Sequence, residues 1–142
     1  MTDETDERLL ALLSENARES VSTIGRKLGL SRTTVQGRIE RLERRGIITG
    51  YTLRLASDYE RGLVKAHVVI RILPKNARQV ERELRGLRCV KTLHSVSGQF
   101  DMIAIVTAST VAELDAVIDR IGEMEGVERT MSSIILSTRF ER

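Results

Sequence analysis

Residues 20–42 read SVSTIGRKLGLSRTTVQGRIERL, and this stretch decides the fold of the N-terminal part of the chain. Ser20 opens a short helix, and Gly29 ends it. A steep turn between two short helices needs a residue that tolerates a left-handed backbone, which glycine supplies. Ser31 is well placed as the N-cap of the next helix. The spacing therefore predicts a helix–turn–helix motif.

The apolar residues of this stretch predict how the two helices meet. Ile24, Leu28, Leu30 and Val35 are expected to close the corner, and Gly25 gives the small residue needed where the helices touch. The inward stripe of the later helix is Val35, Ile39 and Leu42. Around it, Thr33, Gly37, Glu40 and Arg44 lie opposite the core, Arg32, Thr34, Gln36 and Arg41 lie on the flanks, and Arg38 lies near the buried edge.

The polar face of the later helix has the chemistry that reads a DNA major groove. Arginine pairs with guanine, glutamine pairs with adenine, and threonine offers a hydroxyl and a methyl group. A helix N-terminus also favours a phosphate. The candidate DNA-binding residues are Ser31, Arg32, Thr33, Thr34, Gln36, Arg38 and Arg41, the last two as phosphate contacts. A plain three-helix bundle with a polar outer face is the alternative.

Charge is distributed unevenly along the chain, whose formal net charge is +3. Residues 1–17 hold one arginine and five acidic side chains, whereas residues 18–54 hold nine basic and three acidic side chains. A basic block in a chain that is otherwise near neutral is typical of a module that binds a polyanion. A solvated helix face with unpaired arginines explains the same charges.

The rest of the chain alternates between strand and helix patterns. Strands are predicted at 64–73, 89–96, 100–108 and 127–138. One helix follows Pro74 with Ala77, Val80, Leu84 and Leu87 inward, and another follows a capping box at 110–113 with Val111, Leu114, Ile118 and Ile121 inward. The order β-α-β-β-α-β predicts a ferredoxin-like domain whose two helices cover one sheet face.

We therefore predict an α+β chain of two domains. Residues 1–50 form a winged-helix-like helix–turn–helix domain, 51–63 a linker strand and hinge, and 64–142 the ferredoxin-like domain. Alternation over 47–55 predicts the strand, and 57–62 is the plausible linker. Strands 64–73, 100–108 and 134–138 are apolar at nearly every position, so both sheet faces are expected to be dry. Small domains without disulfide or metal are marginally stable, which favours self-association.

Composition excludes several classes of protein. The longest apolar run, 102–106, is far below the ~20 residues that span a bilayer. The acidic start does not fit a signal peptide, and one cysteine excludes an internal disulfide, so we expect a cytoplasmic protein. His67, His94 and Cys89 lack metal-ligand spacing. We expect no metal, no cofactor and no catalytic residue.

Four stretches of the chain carry a specific resemblance. They are TDERLLALLSENARES, LGLSRTTVQGRIERLERRGIITGYTLRL, SVSGQFDMIAIV and GVERTMSSIIL. In order and spacing the chain resembles the Lrp/AsnC (feast/famine) transcription regulators. The resemblance implies an N-terminal DNA-binding domain and a C-terminal domain that binds an effector and oligomerises. It also implies dimers that assemble further, often to octamers, with amino acids bound between subunits near the Gly98–Asp101 loop.

The effector residues that the resemblance implies lie on that loop and on the last strand. They are Ser97, Gly98, Gln99, Phe100, Asp101, Ser132 and Ser133. Asp101 could accept hydrogen bonds from a ligand ammonium group, or it could only cap the turn. The serines are small and uncharged, which favours a neutral amino acid.

An enzyme is the alternative function. Tetrapyrrole (sirohaem) decarboxylases share this two-part architecture and use histidines and arginines around a large pocket. They tend to lose the basic helix face, which here carries Arg32, Arg38 and Arg41. RNA binding is disfavoured because aromatic residues make up only 3% of the chain.

Overall fold

The computed structural model describes residues 1–56, Tyr59 and 62–141 in two compact units, Met1–Arg54 and Leu55–Arg142. Of the predicted linker, Ser57, Asp58, Glu60 and Arg61 lie outside the described residues. The predicted domain limits at 50 and 63 stay predictions.

The first unit consists of three helices: α1 (Glu4–Glu15), α2 (Val21–Leu28) and α3 (Arg32–Arg44). Ser20 and Ser31 cap α2 and α3, since each hydroxyl accepts a hydrogen bond from the backbone N–H three residues on. Gly29 has φ 69° and ψ 33°, the left-handed conformation that ends α2. The predicted caps of the helix–turn–helix are confirmed.

The core of the first unit joins all three helices. Leu9, Ile24, Val35 and Leu42 are fully buried, and Leu28, Leu30 and Ile39 pack against them. The predicted corner is therefore confirmed. Gly25 is buried where α2 meets the turn, and a Cβ there would lie 2.7 Å from the carbonyl oxygen of Leu30. The turn at Leu30 approaches α2 so closely that Gly25 has no room for a side chain.

The segment 47–55, predicted as a strand, forms no strand within this single chain. It is in no strand ladder with the described residues, although its sequence alternates. Tyr51, Leu53 and Leu55 are all more than half exposed. A strand needs a partner for its backbone N–H and C=O groups, and none of the described residues pairs with this segment.

The second unit is an antiparallel sheet with two helices. Its elements are β1 (Val64–Ile72), α4 (Ala77–Arg85, after a 3₁₀ turn at Pro74–Asn76), β2 (Val90–Ser95), β3 (Met102–Ala108), α5 (Val111–Gly122) and β4 (Val127–Ile135). The strand order is β2-β3-β1-β4, and each neighbouring pair is antiparallel. This confirms the ferredoxin-like arrangement predicted from the order of elements.

Both helices pack on one face of the sheet, as predicted. Val80 and Leu84 of α4 and Leu114 and Ile121 of α5 share one core with the buried side of β1 and β3. Val111 was predicted to face inward, but it is 56% exposed, because it lies in the first turn of α5. The predicted capping box is half formed: Thr110 accepts from Glu113 N, while Glu113 accepts from Ser109 N.

The other side of the sheet, which we call the open face, is apolar at its centre. Val69, Ile103 and Ile105 are half-buried there, and Met131 is half exposed. The prediction that both faces are dry is therefore not met by one chain alone. β4 ends at Ile135 rather than 138, because its partner β1 ends its ladder at Lys65, opposite Ile135.

Candidate DNA interface and effector site

The first turn of α3 is fixed by its cap and leaves polar side chains in solvent. The Ser31 hydroxyl accepts from Thr34 N at 3.2 Å and lies 2.7 Å from Thr34 Oγ1. Arg32 and Thr33 are exposed at the same end. Their backbone N–H groups carry the partial positive charge of a helix N-terminus, which suits an anion.

One exposed face of α3 presents the predicted base-reading groups together. Arg32, Thr33, Gln36 and Gly37 are exposed and lie one helical turn apart. Gln36 Nε2 donates to Glu40 Oε1 at 2.9 Å, so the amide is held along the helix. Gly37 has no side chain, and the space beside it is open, since nothing lies within 4 Å of a Cβ built there. This surface can approach a groove closely.

Arg38 and Arg41 do not project freely into solvent. Arg38 Nη1 donates to Asp3 Oδ2 and to Asp6 Oδ1, each at 2.7 Å. Arg41 Nη2 donates to Asp6 Oδ1 at 3.0 Å and Oδ2 at 2.8 Å. We call these four residues the Asp6 cluster, and it joins the start of α1 to the middle of α3.

The charges of the Asp6 cluster shift one another's pKa values. Burial alone would raise the pKa of Asp6, but hydrogen bonds from Arg38 and from Asp3 N, with the charge of Arg41, outweigh it and lower that pKa. The Arg38 hydrogen bond lowers the pKa of Asp3. In return, the carboxylates of Asp3 and Asp6 raise the pKa of Arg38.

The sequence pattern did not reveal Asp3 and Asp6 as partners of α3. Both lie at a helix start, where acidic residues are expected as caps, and Asp3 is the N-cap of α1. The fold therefore sets two acids of the acidic segment against two arginines of the basic block. The prediction that Arg38 and Arg41 contact phosphates stays a prediction.

The predicted effector loop is tied to the sheet by Asp101. Asp101 Oδ2 accepts from Ile72 N at 2.9 Å, at the point where the register of β1 shifts against β4. Asp101 N donates to Ile70 O, and Val96 N donates to Asp101 O, each at 3.0 Å. Gly98 sits at the tip with φ 120°. The carboxylate thus has the turn-holding role that was the alternative to ligand binding.

Within one chain, the predicted effector residues fall in two places. Ser97, Gly98 and Gln99 are exposed and Phe100 is half-buried on the loop before β3. Ser132 and Ser133 lie on β4, paired with Val68 and His67 of β1. Because β1 lies between β3 and β4, and strands are about 4.8 Å apart, the serines are two strands away from the loop's strand.

A groove of about 460 Å³ lies between α4 and β2, and none of the predicted effector residues lines it. No three His, Cys, Asp or Glu side chains in the described part of the chain are arranged to hold a metal ion. Across the same residues, every helix is too short or too polar to cross a membrane.

Both units match known sequence families. The family model of the AsnC-type helix-turn-helix domain matches residues 3–43, and that of the Lrp/AsnC ligand binding domain matches residues 65–142. Together these two matches cover both units, the second of them alone more than half of the chain.

Relatives and solved structures agree with these matches. A protein of Pyrococcus horikoshii named as an uncharacterized HTH-type transcriptional regulator is 35% identical over 140 residues, 96% of this chain and 93% of that protein. The transcriptional regulator LrpA of the same organism is 32% identical and covers 96% of this chain and 97% of its own. The feast or famine regulatory protein of M. tuberculosis, solved in complex with L-methionine, is 31% identical with a TM-score of 0.88 and covers 98% of this chain and 95% of its own.

Both units thus match models of one family in the same order along the chain, and the fold matches that of a solved relative. The chain therefore belongs to the Lrp/AsnC family of transcriptional regulators.

Proposed function

We propose that this regulator binds double-stranded DNA sequence-specifically by placing α3 in the major groove. The observation that carries the proposal is the exposed start of α3, where Arg32, Thr33 and Gln36 share one face above a capped N-terminus. A dimer would place two such helices in successive major grooves of a partly palindromic site.

The residues of α3 divide by the part of DNA that they contact. Arg32 and Gln36, with Thr33 and Thr34, read base edges, and the N-terminal amides beside Ser31 take a phosphate. Arg38 and Arg41 contact phosphates through N–H groups that the carboxylates leave over, since each guanidinium has five.

Removal of one base-reading arginine tests this division. After binding sites are selected from random duplexes, Arg32→Ala should lose about 1–3 kcal/mol of affinity for the selected site and relax its sequence preference. Arg120→Ala, which removes an exposed arginine from α5, is the matched control and should bind like the wild type. Equal affinity and preference for all three proteins would refute the assignment, and a wild type without sequence preference would refute the function.

We propose further that the second unit binds a neutral amino acid at a seam between subunits. The backbone amides near Gly98 would take the carboxylate, and Asp101 would face the ammonium group. Ser132 and Ser133 lie two strands away in the same chain, which favours a second subunit as their source. Ser133, paired with His67, lies on the open face, whereas Ser132, paired with the buried Val68, lies on the other face. The methionine complex of the M. tuberculosis relative supports a ligand of this class.

Two substitutions of Asp101 distinguish a role in binding the ligand from a role in holding the turn. Thermal-shift screening against the twenty amino acids identifies the ligand, which raises Tm by mass action. In calorimetric titration, Asp101→Ala and Asp101→Asn should both lose the amino-acid response, while DNA affinity without ligand stays nearly unchanged. Asn keeps an oxygen for Ile72 N, so only Asp101→Ala should lower Tm. Wild-type ligand affinity in Asp101→Asn would leave Asp101 as a turn cap.

The assembly that we propose is a homodimer formed through the open face, which associates further to an octamer. The apolar centre of the open face supports this, because Val69, Ile103 and Ile105 are only half-buried in one chain. A ligand bound at a subunit seam can shift assembly only by its differential affinity for the assembled forms.

We propose that the chain acts in the cytoplasm without catalysis. Its relatives are named transcriptional regulators, and α3 keeps its exposed Arg32. The absorption spectrum of the purified protein tests the enzyme alternative. A visible tetrapyrrole band, or loss of carbon dioxide from added sirohaem, would favour a decarboxylase.

A further inference from the structure

Asp6 is the one charged side chain that is fully buried among residues 1–56, 59 and 62–141. Its side chain is 1% exposed, whereas those of its partners Arg38 and Arg41 are 22% and 44% exposed. A buried carboxylate is costly unless charged groups pair with it. The buried acid therefore holds two arginines that themselves reach solvent.

The geometry of the Asp6 cluster leaves donors over on both arginines. Arg38 uses only Nη1, and Arg41 uses only Nη2, in their hydrogen bonds to carboxylates. The remaining N–H groups of each planar guanidinium point away in directions that the bound nitrogen fixes. One carboxylate thus sets the orientation of two cations on the DNA-reading helix.

Without the carboxylate, these two cations would repel each other. Arg38 and Arg41 lie three residues apart on α3, so their side chains are neighbours. Long side chains also lose conformational freedom when they bind, and holding them in place beforehand removes part of that cost. Asp6 supplies both the neutralising charge and the fixed orientation.

We propose that Asp6 is a positioning residue for DNA binding, which orients Arg38 and Arg41 so that their remaining N–H groups meet the DNA backbone. The inference rests on the proposed DNA-binding function of α3 and adds a residue that does not itself touch DNA. It also gives the acidic start of the chain a role in a protein that binds a polyanion.

Simple electrostatics makes the opposite prediction, which makes the proposal testable. A carboxylate close to DNA repels phosphates, so its neutralisation would tighten binding and steepen the dependence of affinity on salt. If Asp6 acts by orienting Arg38 and Arg41, its neutralisation instead weakens binding, although the protein becomes more positive.

The test compares Asp6→Asn with Glu4→Gln in the full chain, by titrating DNA at several salt concentrations below each Tm. Asp6→Asn should lose about tenfold in affinity for all sequences, and its salt slope should fall by about one to two units. Glu4→Gln removes an exposed charge from the same first turn of α1 and leaves all four residues of the Asp6 cluster in place, so it should bind at least as tightly as the wild type. Wild-type or tighter binding by Asp6→Asn would overturn the proposal.

A second variant keeps the proposal falsifiable if Asp6→Asn does not fold. Arg41→Lys keeps the charge, but one ammonium group cannot hold Asp6 and reach a phosphate with the fixed geometry of a guanidinium. Its salt slope should fall by about one unit, as far as that of Arg41→Ala, because both variants lose the phosphate contact of the guanidinium. A slope and affinity equal to the wild type would overturn the role of Asp6 while leaving DNA binding by α3 intact. A wild type that binds no DNA would instead refute the proposed function.

Discussion

At the scale of single residues, Gly25 shows how a fold can require the absence of a side chain. Alanine is the better helix former, and helix–turn–helix motifs usually prefer it at this position. Here Leu30 N donates to Gly25 O at 2.8 Å, and the Leu30 carbonyl lies against the place of the missing Cβ. The tight approach of the turn outweighs helix propensity.

Gly25→Ala is therefore expected to destabilise the first unit by about 1–3 kcal/mol, because the backbone must shift to admit the Cβ. Gly37→Ala is the matched control on an exposed helical site, where nothing lies within 4 Å, and should stabilise by about 0.5–1 kcal/mol. Urea unfolding of both variants measures the difference. A Gly25→Ala protein as stable as Gly37→Ala would contradict the steric argument.

The Asp6 cluster also predicts how stability depends on pH. The arginines of the cluster hold the pKa values of Asp3 and Asp6 below those of an ordinary aspartate, so folding is favoured by their charged forms. That contribution is fully present above about pH 4–5 and is lost as pH falls through the lowered pKa values. Urea unfolding between pH 6 and pH 3 should show this loss in the wild type.

Asp6→Asn serves as the reference for the pH series. It lacks the titrating group, so the difference in unfolding free energy between wild type and variant should shrink as the pH is lowered. A difference that stays constant from pH 6 to pH 3 would show that Asp6 keeps an ordinary pKa.

At the scale of elements, the turn between α5 and β4 packs against the start of α4. Gly126 has φ 92°, and a Cβ there would overlap the side chain of Asn76. Leu73 N donates to Gly126 O at 2.8 Å, so the turn is also bonded to the end of β1. Gly126 therefore contacts both the start of α4 and the end of β1.

Gly126→Ala should destabilise the protein by about 2–4 kcal/mol, since it combines a left-handed backbone with a steric clash. Gly122→Ala, four residues earlier in α5, should cost nothing, because its Cβ would meet only Thr130 Oγ1 at 3.9 Å. Thermal unfolding of the two variants decides. Equal Tm values would mean that the loop relaxes around the new methyl group.

At the scale of the whole molecule, the proposed assembly through the open face predicts the effect of a charge placed there. If a second subunit covers it, a charge at its centre is buried on association and costs several kcal/mol. Ile105→Lys should therefore shift the mass measured by light scattering towards the monomer. Ala112→Lys, on the exposed side of α5, adds the same charge and should leave the mass unchanged.

A fragment of residues 60–142 extends the same test to the second unit by itself. It should still self-associate if the open face is sufficient. A monomeric fragment, or an Ile105→Lys protein with the mass of the wild type, would place the interface elsewhere.

The sequence by itself determined the elements and their order. Ser20, Gly29 and Ser31 mark the helix–turn–helix because caps and left-handed turns depend on neighbours within a few residues. The β-α-β-β-α-β order followed from local periodicity, and the family from motifs in both halves. Each of these signals is contained in a short window of sequence.

Only the tertiary structure decided which residues far apart in the sequence contact each other. Asp6 reaches Arg38 and Arg41 more than thirty residues away, and Asp101 bonds the backbone of Ile72 rather than standing free. The 47–55 segment has a strand's alternation but no partner strand among the described residues. Ion pairs, long-range hydrogen bonds and strand pairs depend on which elements pack together. Packing between distant elements produces no periodic pattern in the sequence, so it could not be predicted from it.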